Sequence, residues 1–111
     1  MEPYGAILVA CGTKAANGNN TLIAAPGDGS RHVIIGYVLQ NMSATATTML
    51  LYDDTETIAG FLGQTQGANL PIMLPVGCFY AMGENTALVL NLSGANQCGY
   101  IIWYYTEPVF V

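Results

Sequence analysis

Chemistry in this sequence would have to come from a few places: His32 beside Arg31, the acidic stretch Asp53, Asp54 and Glu56, and the cysteines Cys11, Cys78 and Cys98. His32 is the sole histidine, so nucleophilic catalysis would have to use it as the base. At the start of the longest apolar run it reads instead as a strand-end side chain in a polar contact. Paired carboxylates serve glycoside hydrolysis or hold calcium. The calcium-loop pattern is absent, however, and Asp-Asp between two apolar runs is ordinary turn chemistry. The cysteines lie far apart with no CxxC spacing, so a zinc site is not expected. They read as ordinary buried thiols, with one disulfide as the alternative. The glycine-rich pieces match neither a phosphate loop nor a dinucleotide fingerprint. Asn19, Asn41 and Asn91 open glycosylation triplets, which matter only in a secreted chain. The reading is therefore no catalytic residue, no metal site and no cofactor. Tyr100, Trp103, Tyr104 and Tyr105 form an aromatic run suited to a core or subunit interface, or to a sugar-stacking platform.

The elements that must carry these residues are strands. Asn17-Gly18, Asp28-Gly29, Gly83-Glu84-Asn85 and Ser93-Gly94 punctuate short apolar runs at sandwich spacing. No stretch of a dozen residues sustains a helical apolar face. The expectation is an all-β, antiparallel β-sandwich of eight or nine short strands with essentially no helix. Strands are expected at 5–11, 21–25, 31–41, 47–53, 55–62, 70–74, 78–82, 86–92 and 99–106. Alternation places Leu88, Leu90 and Leu92 on one face, opposite Val89 and Asn91. Within 33–40 it sets Val33, Ile35, Tyr37 and Leu39 against Ile34, Gly36, Val38 and Gln40. Within 100–105 it sets Tyr100, Ile102 and Tyr104 against Ile101, Trp103 and Tyr105. Antiparallel strands commonly have one face in water, so apolar residues on both faces point to a partner on the second.

Composition supports that inference. Of the 111 residues, 52% are hydrophobic and only 8% charged, where about 25% is ordinary. So few charges cannot cover a lone monomer, which suggests surface buried against other copies or other proteins. Lys14 and Arg31 are the only basic residues against seven acidic ones. Nucleic-acid binding, which neutralises several phosphates, and docking on an anionic membrane are both excluded as expectations. Apolar runs are cut by Gly, Asn or Gln long before the ~18 residues of a spanning helix. The opening MEPYGAILVACG lacks the basic region of a signal peptide, so a chain made and used without secretion is expected. Length allows one domain: residues 13–111 as the sandwich, preceded by a 1–12 segment that serves as an arm or as the first strand.

From Tyr37 to Glu107 the order YVLQNMSATATTMLLYDDTETIAGF, a Pro/Gly-bounded segment, and GENTALVLNLSGANQCGYIIWYYTE resembles small β-sandwich virion proteins of tailed bacteriophages. The likeness is to head decoration, or cement, proteins and related tail modules, and it lies in cadence. What it implies is a jelly-roll-like fold, often trimeric, that sits on the capsid surface and binds the major capsid protein. The expected function is capsid decoration through protein–protein contacts, in a protein made in the host cytoplasm. The alternative is a carbohydrate- or receptor-binding module of a tail or fibre. Candidate contact residues are Ile7, Leu8, Val9, Ile34, Val38, Ile101, Trp103 and Tyr105.

Overall fold

The computed structural model describes residues 6–54 and 56–109. They form nine strands and, among them, no helix: β1 (Leu8–Lys14), β2 (Gly18–Ile23), β3 (Ser30–Asn41), β4 (Thr47–Asp53), β5 (Glu56–Gly63), β6 (Asn69–Met73), β7 (Tyr80–Ala81), β8 (Leu88–Leu92) and β9 (Cys98–Pro108). Two antiparallel sheets result. One runs β1-β9-β3-β6, with β7 pairing β3 beyond β6, and the other runs β2-β8-β4-β5. With the two-residue β7 set aside, the pairs β4·β5, β3·β6, β2·β8 and β1·β9 are the rungs of one long hairpin. Rolling that hairpin adds the pairs β3·β9 and β4·β8, which close each sheet. This is the wrapping of a jelly roll, a double-sheet sandwich of two Greek keys.

Alternation builds the core between the sheets. Met49 and Leu51 of β4, and Leu88, Leu90 and Leu92 of β8, point inward at two-residue intervals and are fully buried. Leu39 and Ile102 meet them from the other sheet. Each such side chain contributes roughly 1.5–3 kcal/mol by leaving water. At one end Asn41 is fully buried and tethers the neighbouring turn. Its amide donates to the Thr45 and Gly63 carbonyls at 2.9 and 2.8 Å, and its carbonyl accepts from the Ser43 N–H at 2.9 Å.

One irregularity changes which residues face out. Between β3 and β9 the register slips at Ile34/Gly36, so Ile34 pairs Tyr104 while Gly36 pairs Trp103. The extra residue, Ile35, shifts the alternation by one. On the N-terminal side of the slip His32 and Ile34 face the core; beyond it Tyr37, Leu39 and Asn41 do. Ile34, expected on the outward face, is therefore a core residue with no exposure at all.

Other boundaries also move. The first strand begins at Leu8 and continues through Gly12, which pairs Tyr100, where the sequence suggested that a loop begins. The second strand begins at Gly18 because Asn19 and Asn20 pair Asn91 and Leu90. Strand β8 starts only at Leu88, since Thr86 donates its hydroxyl to Asp53 in a turn. The 1–12 segment thus contributes an edge strand of its own sandwich from Leu8 onward, while its residues 1–5 lie outside the described residues.

Candidate functional site

The groups first considered for chemistry are engaged in holding the fold. His32 is buried, with Nε2 donating to the Ala24 carbonyl at 2.8 Å and Nδ1 lying 2.9 Å from Thr106 Oγ1. Tyr104 packs edge-on against its ring at 5.2 Å. Arg31 donates to Glu107 at 2.6 Å through Nε, an ion pair between the start of β3 and the end of β9.

Asp53 is nearly buried and accepts three hydrogen bonds, from Thr86 Oγ1 at 2.7 Å, the Gly83 N–H at 3.0 Å and Tyr80 OH at 3.1 Å. Its carboxylate ties the β4–β5 turn to the segment between β7 and β8. Burial, and then the neighbouring Asp53 and Glu56 charges, raises the Tyr80 phenol above its ordinary range. Asp54 takes a left-handed φ of 57°, which Asp tolerates in a tight turn. Among the described residues no group of three or more His, Cys, Asp or Glu is arranged to hold a metal. Cys98 is buried, which pushes its thiol up, while Cys11 and Cys78 are exposed and free. The expectation of three buried thiols thus holds for Cys98 alone. Asn41, in one glycosylation triplet, is fully buried.

The surface that stands apart is the outer face of the five-stranded sheet. Register puts Val9 and Cys11 of β1 beside Trp103 and Ile101 of β9, and Val38 of β3 beside Ile101 and Pro71. Val9 is 55% exposed and Met73 63%. Ile101, Trp103, Tyr105 and Val38 are half-buried. Ile7 and Leu8 are exposed at the edge. Of the eight expected contact residues the structure brings seven to this face or its rim, and it sends Ile34 to the core.

Two depressions mark that face. Toward the Lys14 end of the sheet, Gly99 leaves a hollow of about 290 Å³ walled by Cys11, Thr13, Val38, Met42 and Ile101. At the opposite end a cleft of about 420 Å³ runs between Phe79, Tyr105 and the Arg31–Glu107 pair. Phe79 and Tyr105 meet edge to face at 6.5 Å. Between β3 and β6, Gly36 lets the Met73 side chain lie over its backbone, because a Cβ at that position would collide with the Met73 sulfur.

No protein-family model matches the chain, and no curated protein matches it. Sequence reasoning missed Cys11, Pro71 and Met73 as outward residues. Alternation within 69–73, Leu70 and Ile72 against Pro71 and Met73, was the available signal.

Topology also sorts the charges. Strand β3 begins, β4 ends, β5 begins and β9 ends at the same end of the sandwich. That end gathers Asp28, Asp53, Asp54, Glu56, Glu84 and Glu107, all the described carboxylates, against Arg31. Lys14, paired with Cys98, lies at the other end.

Proposed function

We propose that this protein is a structural virion subunit of the capsid-decoration kind, which works by binding other protein surfaces. The observation that carries the reading is the outer face of the five-stranded sheet, where Val9, Val38, Met73, Ile101 and Trp103 stand where an antiparallel sheet open to water carries polar residues. The jelly-roll topology is compatible with it, since this fold recurs in viral shells, although it also occurs in lectins and cupins. On this reading the partners are shell subunits and further copies of the chain, and the site of action is the capsid surface. A half-buried tryptophan at the centre of an apolar face is the residue type that dominates such contacts.

The test is binding of purified chain to particles lacking it, comparing wild type with Trp103→Lys. Each buried unpaired ammonium costs several kcal/mol, so the variant should fold and fail to bind. Undiminished binding by a folded Trp103→Lys protein would refute the assignment of this face.

The Phe79–Tyr105 cleft favours the second reading, a carbohydrate-binding module, because aromatic rings beside a charged pair suit a sugar ring and its hydroxyls. Glycan-array binding that is lost on Tyr105→Ala and unaffected by Trp103→Lys would favour it over shell attachment.

A further inference from the structure

Strand β1 is an edge. On one side its seven residues pair β9, and on the other no backbone hydrogen bond reaches Leu8–Lys14 among the described residues. Such a row of unpaired N–H and C=O groups is a template for another strand, and proteins usually blunt it with proline, a bulge or a charge. The other edges carry these devices. Strand β6 has Pro71 at its centre, β7 has only two residues, β2 is broken by a register slip at Thr21/Ile23, and β5 opens with Glu56 and faces a slip at Leu51/Tyr52. Strand β1 has no proline and no slip, and its single charge, Lys14, stands at its last position.

We propose that β1 pairs antiparallel, about a two-fold axis, with β1 of a second copy, so that two five-stranded sheets become one continuous sheet. Full overlap of the seven residues centres the axis on Cys11. Val9 then faces Thr13 of the second copy, Ala10 faces Gly12, and Leu8 faces Lys14, so no like charges oppose each other. A two-fold axis perpendicular to the sheet keeps each face on its own side. The two apolar outer faces therefore join into one.

Charge selects this occupant and this orientation. Six carboxylates sit at one end of a molecule whose longest extent is 45 Å. Antiparallel pairing sets the acidic end of each copy beside the Lys14 end of the other and separates the two acidic ends by far more than the ~8 Å screening length. Side-by-side parallel packing would bring all the carboxylates of neighbouring copies together. The contact uses the strand edge and is independent of what the outer face binds.

The experiment is sedimentation of the full chain across the micromolar range, with two double variants, V9K/T13K and V9E/T13K. In this register position 9 of each copy faces position 13 of the other, so the first variant opposes like charges twice and the second forms two ion pairs. Within one strand the two positions are about 13 Å apart, so the cost to the fold is shared. Wild type and V9E/T13K should be dimers, and the V9K/T13K dissociation constant should be at least roughly tenfold higher than that of V9E/T13K. Cys11 and Cys78 are the exposed thiols, so mild oxidation of Cys78→Ser protein should link the dimer through Cys11, and the further change Cys11→Ser should abolish the link. A monomer at high micromolar concentration, a trimer, equal constants for the two charge variants, or a dimer that does not cross-link at Cys11 would overturn the proposal.

Discussion

Replacing Ile34 and Val38 separately by alanine tests the bulge that decides which face of β3 is inside. Both are aliphatic, and four residues apart in an unbroken strand they would share a face. The slip at Ile34/Gly36 separates them. Ile34 has no exposed surface, with Met82, Leu88 and Ile102 in the same core cluster, whereas Val38 is half-buried on the outer sheet face. Truncating a fully buried isoleucine removes its transfer energy and leaves a cavity, so Ile34→Ala should destabilise by about 3–4 kcal/mol. Val38→Ala removes two methyl groups that are already partly in water, so it should cost under about 1 kcal/mol. Urea unfolding, at protein concentrations low enough to hold the chain monomeric, measures both. With a slope near 1.5 kcal/mol/M, Ile34→Ala should lower the midpoint by about 2–2.7 M and Val38→Ala by no more than about 0.7 M. Equal shifts, or a larger one for Val38→Ala, would refute the placement of the bulge and the assignment of the outer face with it.

Asp53→Ala removes the acceptor of the Gly83 N–H and of Tyr80 OH, while Thr86 Oγ1 keeps the Gly83 carbonyl at 2.9 Å, and should destabilise by about 1–3 kcal/mol, visible as a fall in Tm of roughly 5–10 °C. An unchanged Tm would show that this carboxylate does not hold the turn. A thiol reagent should titrate Cys11 and Cys78 in the native protein and Cys98 only after unfolding; rapid reaction of all three would contradict the buried site of Cys98. Burial raises the Tyr37 and Tyr80 phenols above 10.0, with the Asp53 and Glu56 charges adding to the effect at Tyr80. The folded chain holds these protons more tightly than the unfolded one, so their contribution is complete below pH about 10 and is lost as pH rises through the folded-state values. Tyrosinate absorbance of wild type against Tyr37→Phe and Tyr80→Phe should place each missing ionisation above pH 10.0; a missing ionisation at or below that pH would refute it.

The all-β class and most strands were legible because turn residues and two-residue alternation coincide in this chain. In β8 the inward set Leu88, Leu90 and Leu92 alternates with Val89 and Asn91, and the structure keeps that phase. In β3 every residue from Val33 to Leu39 except Gly36 is apolar or aromatic. Such a run carries no phase information, so a one-residue bulge leaves no trace in it and the face of Ile34 could not be read. Gly12 looked like a loop opening because glycine punctuates turns, yet it lies inside an edge strand, where the Tyr100 hydroxyl packs 3.3 Å from where a Cβ would stand. The role of Asp53 was hidden for a different reason. Its partners Tyr80, Gly83 and Thr86 lie about thirty residues downstream and meet it only once the hairpin has rolled. The same rolling gathers carboxylates as far apart in sequence as Asp28 and Glu107 at one end.

That gathering changes what the low charge content means. Were the few charges spread evenly, every surface of the sandwich would be thinly hydrated. Concentrated at one end, they leave that end strongly acidic and well solvated, and they leave the outer face of the five-stranded sheet almost free of charge except for the Arg31–Glu107 pair at its acidic margin. A contact along the β1 edge or on that outer face therefore desolvates few ions and avoids the cost of burying charge. Contacts end to end would press carboxylates together. Lateral association should consequently stay nearly level as salt rises, since antiparallel pairing already holds the acidic ends beyond the screening length and salt finds few interfacial ion pairs to weaken. Dissociation on raising salt from low to molar concentration, followed by sedimentation, would show instead that ion pairs hold the copies together and that the apolar surfaces named here are not the ones in contact.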